Sequence, residues 1–420
     1  MGLLLVTATG ICSMMGASIN VIPFMIQKNV PGIGPYVVPA FLFAAIPAIF
    51  AAYAYAILSS AMPRAGGSYL YASRGLSPYL GFIASFSQWF GLSIVIGVIS
   101  YIIVPFIRDV FFNLGFINIS DFLEVGSVRL TISLLLIWLF VLINIVGGKV
   151  YKNTLIPMLV IMFVLGSIVL ITGLVYDQND FINSVLNSEN RVIEPTSDIK
   201  FDWKIFLTAA TLMFSSFIGF DAIAQTGNEA KNPTKNIPRA ILLAIFIVAS
   251  FYILFTISVY NIVPWSFVAD ESITKDITAP GLLSYVLPPF WGILIIIGAA
   301  IALINDLPAM ILSVSRLMFA WAKDNIFPNR VALIHSKFNT PYIAIILVGV
   351  VASIGAIGSH FAGDFFLGID IMVTSMMINF LLMCVTLISI QKVNFKLFKN
   401  ITVIKNRAIQ LFIGYTGTLI

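Results

Sequence analysis

Apolar stretches of about 20 residues recur along almost the whole sequence, and in lipid such stretches satisfy their backbone groups as helices. They fall at about 3–27, 36–62, 78–107, 129–147, 153–176, 204–224, 238–263, 289–320, 341–359, 365–390 and 409–420, the last too short to span a bilayer. Only 10% of the residues are charged and 60% are hydrophobic, whereas a soluble domain carries about 25% charge. The expectation is a polytopic, all-α membrane protein, which excludes a large soluble enzyme. The net charge of +5 does not mark a nucleic-acid surface, because the basic residues are scattered through short loops. No cleavable signal is expected, since the first basic residue, Lys28, follows the first apolar stretch. The two cysteines, Cys12 and Cys384, lie in apolar stretches and are expected as inert thiols. The two histidines, His335 and His360, fall in separate expected loops, so no metal site is expected.

Loop charge sets an expected orientation. With the N-terminus inside, residues such as Arg64, Arg74, Lys231, Lys235, Arg239, Lys396 and Lys399 share one side, about two to one over basic residues such as Lys28, Arg108 and Arg191 on the other. That side is expected to be the cytoplasm, in the cell membrane.

Two apolar stretches are poor continuous helices. In the sixth, Phe214-Ser-Ser-Phe-Ile-Gly-Phe-Asp221 places a glycine, two hydroxyls and an acid where a simple anchor would carry none. An aspartate at membrane depth costs about 2.5–3.5 kcal/mol, so Asp221 is expected to face a cavity, a partner or a proton; a buried structural acid is the plainer alternative. A polar loop with Pro233 and Pro238 follows, read as a rigid turn before the next span. In the first stretch, Thr9-Gly-Ile-Cys-Ser-Met-Met-Gly-Ala-Ser-Ile-Asn20 holds two glycines and several small polar residues, with Pro23 beyond. Unwound backbone at that depth lines a cavity or is buried in protein; close packing of small residues is the alternative. Asn305 and Asp306 form a further polar pair about 16 Å from the end of the eighth stretch, read either as a coupling-ion or proton site or as helix-to-helix bonding.

Phe217-Ile-Gly-Phe-Asp221 with Asn228-Glu-Ala-Lys-Asn-Pro-Thr-Lys-Asn-Ile-Pro-Arg239 resembles the sixth-helix signature of the amino acid, polyamine and organocation (APC) transporter superfamily, in its cationic amino acid transporter-like branch. Met15-Gly-Ala-Ser-Ile19 is similar to the break in APC first helices, and Pro63-Arg-Ala-Gly-Gly-Ser-Tyr-Leu-Tyr71 to another signature. Ser315-Arg-Leu317 with Ala322-Lys-Asp-Asn325 and Phe327-Pro328 matches a third, with Asn325 standing where glycine is usual. The resemblance implies a five-plus-five inverted-repeat, LeuT-like transporter fold with broken first and sixth helices. The first repeat would occupy 1–176, an extracellular loop 177–203, the second repeat 204–390, and a cytoplasmic loop with the start of an eleventh helix 391–420.

The resemblance also implies a site. A helix break offers free N–H groups on one half and free carbonyls on the other, and a unit charge 4 Å from such a half charge gains about 2 kcal/mol at an effective dielectric near 20. By resemblance, a substrate carboxylate rests on N–H groups of Gly16, Ala17 and Ser18, and its amino group meets carbonyls of Met14, Phe214, Ser215 and Ile218, with Gly219 in the same break. Phe217 and Phe220 are candidates for an apolar lid, and Asp221 with Asn305 and Asp306 for gating or coupling. Many relatives carry an aromatic residue where Ser215 stands, and some proton-coupled ones a lysine where Met162 stands. The function implied is secondary active transport of amino acids by alternating access, not catalysis. A polyamine or organic-cation exchanger, or a non-transporting sensor of the same fold, stands as the alternative. The expected partners are a small amino acid or amine and membrane lipid, with no cofactor or metal, and with sodium, protons or exchange open as the coupling mode.

Overall fold

The computed structural model describes residues 1–16, 18–193, 199–274, 277–362 and 365–420; Ala17 and the side chain of Ser18, both expected at the site, lie outside the described residues. Among them, ten helical segments are long and apolar enough to cross a membrane: Leu3–Asn29, Gly34–Ala61, Pro78–Phe112, Gly126–Val146, Val150–Val175, Trp203–Gln225, Pro233–Ile262, Pro289–Lys323, Tyr342–Ala362 and Leu367–Val393. A shorter helix, Arg407–Leu419, packs on the second and tenth spans. All the regular structure described is helical.

Burial sorts the spans. The most apolar window of the first is 94% enclosed by protein, whereas those of the fourth and fifth are 28% and 17% enclosed and so present their side chains outward. The first span therefore forms the centre. Its N-terminal half packs on the seventh and eighth spans, and the long third span crosses the eighth, ninth and tenth. Small residues allow this closeness. A methyl group at Gly97 would overlap backbone of Ala352 and Ala356 in the ninth span, and one at Gly355 would overlap backbone of Ile94.

Three elements differ from the sequence expectation. The seventh helix begins at Pro233, so Pro233 and Pro238 belong to its first turns and not to the preceding loop. Proline fits the first helical position because that N–H has no helical partner in any case, and Asn232 turns the chain with φ +46°. His360 lies in the last turn of the ninth span, its Nδ1 3.1 Å from the Tyr101 hydroxyl, and not in a loop. The segment 177–203 carries its own helix, Gln178–Glu189, started by a reciprocal capping pair of Asp177 and Asp180.

Candidate functional site

The first span stops coiling at Met14 and restarts at Ser18. Met15 N–H still reaches the Ile11 carbonyl at 2.8 Å, while Gly16 N–H turns back to Met14 at 3.1 Å. The Met14 carbonyl also accepts from the Tyr252 hydroxyl of the seventh span at 2.7 Å. The sixth span ends its α-helix at Phe214, makes one tighter turn over Ser215–Phe217, extends at Ile218 (φ −78°, ψ 136°) and passes Gly219 at φ +134°. Only glycine adopts that conformation readily. A Cβ on Gly219 would also overlap the carbonyl of Ser13 and the N–H of Met14. The two interrupted helices therefore meet backbone to backbone.

Small cavities flank this junction. One of about 40 Å³ is lined by Ser13 and Met14, by Ser215 and Ile218, by Asp306, and by apolar side chains including Val95, Ile99, Ile369 and Met372. Another, of about 20 Å³, lies between Met15, Gly16 and Asn20 on one side and Met162 of the fifth span on the other. Asp306 reaches the junction from the eighth span: a Cβ on Gly16 would overlap its Oδ2, and its buried Oδ1 has no hydrogen-bond partner. Ser13 Oγ is likewise buried and unpartnered. Asn305 points elsewhere and donates to Cys12 Sγ at 3.0 Å.

Met14, Gly16, Ser215, Ile218, Gly219 and Asp306 are thus gathered at one place. The other named residues lie behind it. Phe217 packs between Phe41 and Tyr252 with ring centroids 5.2 and 6.1 Å away, and Phe220 stacks on Phe380 at 5.1 Å and meets Tyr55 at right angles. Phe214 lines a separate groove with Phe43 and Met377. Asp221 is fully buried, accepts from Gly219 N–H at 3.1 Å, and takes a short bond from the Gln88 side-chain amide. Gln88 in turn accepts from the Ser68 hydroxyl at 2.5 Å and from Gln225 at 3.4 Å. This chain joins the sixth-span break to the third span and to the helix Gly67–Gly75. Gln88, Ser68, Gln225, Ser13 and Tyr252 were not foreseen from sequence, although a glutamine inside the third apolar stretch carries the same signal of a polar group at membrane depth that singled out Asp306.

At one end of the bundle the polar exit of the sixth span is fastened to the eighth. Arg316, nearly buried, places Nε and Nη2 at 3.0 and 2.8 Å from Glu229 Oε1. A cavity of about 170 Å³ opens beside this pair, between Asn144, Tyr151 and Thr340. Gly67 sits so close to Gln225 that a Cβ there would strike the amide. Asn325 adopts φ +60°, a left-handed conformation that asparagine tolerates better than most residues, which accounts for its standing where glycine is usual.

A family model described as amino acid permease matches residues 1–420. The chain is 34% identical over 152 residues to an uncharacterized transporter of Mycobacterium bovis, a match covering 36% of this chain and 33% of that one. It is 28% identical over 150 residues to the branched-chain amino acid permease BcaP of Bacillus subtilis, covering 35% and 31%. It is 28% identical over 157 residues to cationic amino acid transporter 4 of Mus musculus, covering 37% and 24%. The matched stretches span a third or less of these relatives' own length.

Proposed function

The chain belongs to the amino acid permease family, and on that premise we propose that it is a secondary active transporter that moves amino acids across the cytoplasmic membrane by alternating access. Its N-terminus and the Glu229–Arg316 end face the cytoplasm, in line with the excess of basic residues in the loops of that side. The observation that carries this reading is the meeting of two interrupted helices at Gly219 and Ser13, with a cavity bearing unpartnered polar groups beside it. Irregular backbone at membrane depth is otherwise a net penalty. Discontinuous helices at corresponding places in two halves mark the binding site of inverted-repeat transporters.

The cavity of about 40 Å³ is far below the roughly 300 Å³ at which ligand pockets begin. Loading a substrate therefore requires the spans around the junction to part, which is the motion alternating access needs. Asp221 supports the reading from behind the break. Its carboxylate holds the Gly219 N–H and the Gln88 amide together, so a change in its charge loosens the backbone that lines the site. It is our candidate for the coupling residue.

The test is counterflow in proteoliposomes across the twenty amino acids and a few amines, with pH and sodium varied. Accumulation of a labelled amino acid against its preloaded counterpart supports transport. Saturable binding in detergent without counterflow would instead indicate a sensor of the same fold.

A further inference from the structure

Two of the backbone carbonyls that the resemblance offers to a substrate amino group are already engaged. The Met14 carbonyl accepts from both the Tyr252 hydroxyl and Gly16 N–H, and the Ser215 carbonyl accepts from Ile218 N–H at 3.2 Å. A further acceptor stands at the same cavity. Asp306 lines the cavity, its buried Oδ1 has no hydrogen-bond partner, and among the described residues no basic side chain pairs with it. A carboxylate isolated in this way weakens the folded protein unless it takes up a proton or a cation reaches it. The far wall is of a different character: Val95, Val98, Ile99, Ile369 and Met372 present no hydrogen-bonding group beyond the weak thioether acceptor of Met372.

We infer that Asp306 receives the ammonium group of the substrate and that the wall from the third and tenth spans receives an aliphatic side chain, so the ligand class is an aliphatic α-amino acid. This rests on the transport reading above and narrows it. One carboxylate serves one ammonium group. A substrate with a second positive charge on its side chain would bury that charge against Val95 and Ile369 without an acceptor, which is strongly unfavourable. An aliphatic side chain gains from the same surface.

The experiment uses the full chain in proteoliposomes, with labelled L-leucine as probe. Two competitors divide the molecule: 3-methylbutylamine keeps the ammonium group and lacks the carboxylate, and 4-methylpentanoate keeps the carboxylate and lacks the ammonium. The expectation is leucine counterflow in which the amine competes better than the acid. Asp306→Asn should raise the half-saturation concentration about 10- to 100-fold, the range of one charge-assisted hydrogen bond. The melting temperature of the same variant in detergent should hold or rise, as when an unpaired buried charge is removed, so that the lost affinity does not come from a folding defect. Better competition by the acid than by the amine overturns the inference, and this comparison needs no variant to fold. So does an unchanged half-saturation in a folded Asp306→Asn protein, or robust counterflow of arginine with none of leucine. Those three results leave amino acid transport intact, whereas no counterflow of any amino acid by the wild-type chain removes the transport reading itself.

Discussion

The Tyr252 hydroxyl donates to the carbonyl of Met14 at 2.7 Å, and so ties the seventh span to the point where the first span stops coiling. Both residues are buried, and the first half-helix has few other ways to satisfy its end. Tyr252→Phe removes the donor and keeps the ring against Phe41 and Phe217. The expected loss is about 0.5–1.5 kcal/mol of stability, the net worth of one hydrogen bond, because the Met14 carbonyl still accepts from Gly16 N–H. Thermal unfolding in detergent checks it, and a variant as stable as the parent would mean that the bond to Met14 is energetically idle.

Gln88 is expected to matter as much as the acid it serves. In Gln88→Leu the Asp221 carboxylate keeps Gly219 N–H and loses the amide, while Ser68 and Gln225 lose their shared acceptor. One hydrogen bond to a charged group is worth about 1.5–3 kcal/mol, so both stability and uptake should fall. Asp221→Asn should insert and fold but fail in uptake. Flux through either variant at the parent's rate would separate this network from transport.

The helix breaks were legible in the sequence because their cause is local. Glycines and hydroxyls inside an apolar run mark a poor helix whatever surrounds them, and the chain stops coiling at Met14 and Phe214 within the two stretches so marked. The partners of Asp221 and Met14 were not legible, since Gln88 and Tyr252 lie 133 and 238 residues away along the chain and their selection depends on how helices cross. Phe217 and Phe220 illustrate the same limit. A run of phenylalanines beside a break offers a lid but is more often packing, and here each ring is enclosed by other rings. Pro233 shows the reverse error, a local signal for a turn that the first position of a helix accommodates without penalty.

Gly219→Ala should be among the most damaging single-methyl changes in the protein. The residue sits at φ +134°, and the added carbon would meet main-chain atoms of Ser13 and Met14, which cannot rotate away as a side chain can. Backbone strain of this kind costs about 1–3 kcal/mol before any overlap is relieved. The expected result is lost counterflow with a lowered melting temperature. Gly292→Ala, where nothing lies within 4 Å of the new carbon, serves as the tolerated control. Equal behaviour of the two variants would show that the two breaks need not touch.

The Arg316–Glu229 pair closes one end of the bundle, and its strength follows from unequal exposure. The arginine side chain is 7% exposed and the glutamate 36%, so removing the acid strands a largely desolvated cation, whereas removing the arginine leaves a carboxylate that water can reach. Glu229→Gln is therefore expected to destabilise that end more than Arg316→Gln does. Arg316→Lys should not restore it, because an ammonium group cannot donate from two nitrogens as Nε and Nη2 do here. A reporter already lies on the same side of the junction. Cys12 is a buried free thiol against Asn305, in a cluster with Tyr151 and Leu312, and the latter two also line the cavity beside Arg316. With Cys384 replaced by alanine, alkylation of Cys12 by a small maleimide should be slow in the parent, faster in Arg316→Gln and fastest in Glu229→Gln. Equal alkylation rates across the series would mean that this ion pair does not gate access to the centre of the protein.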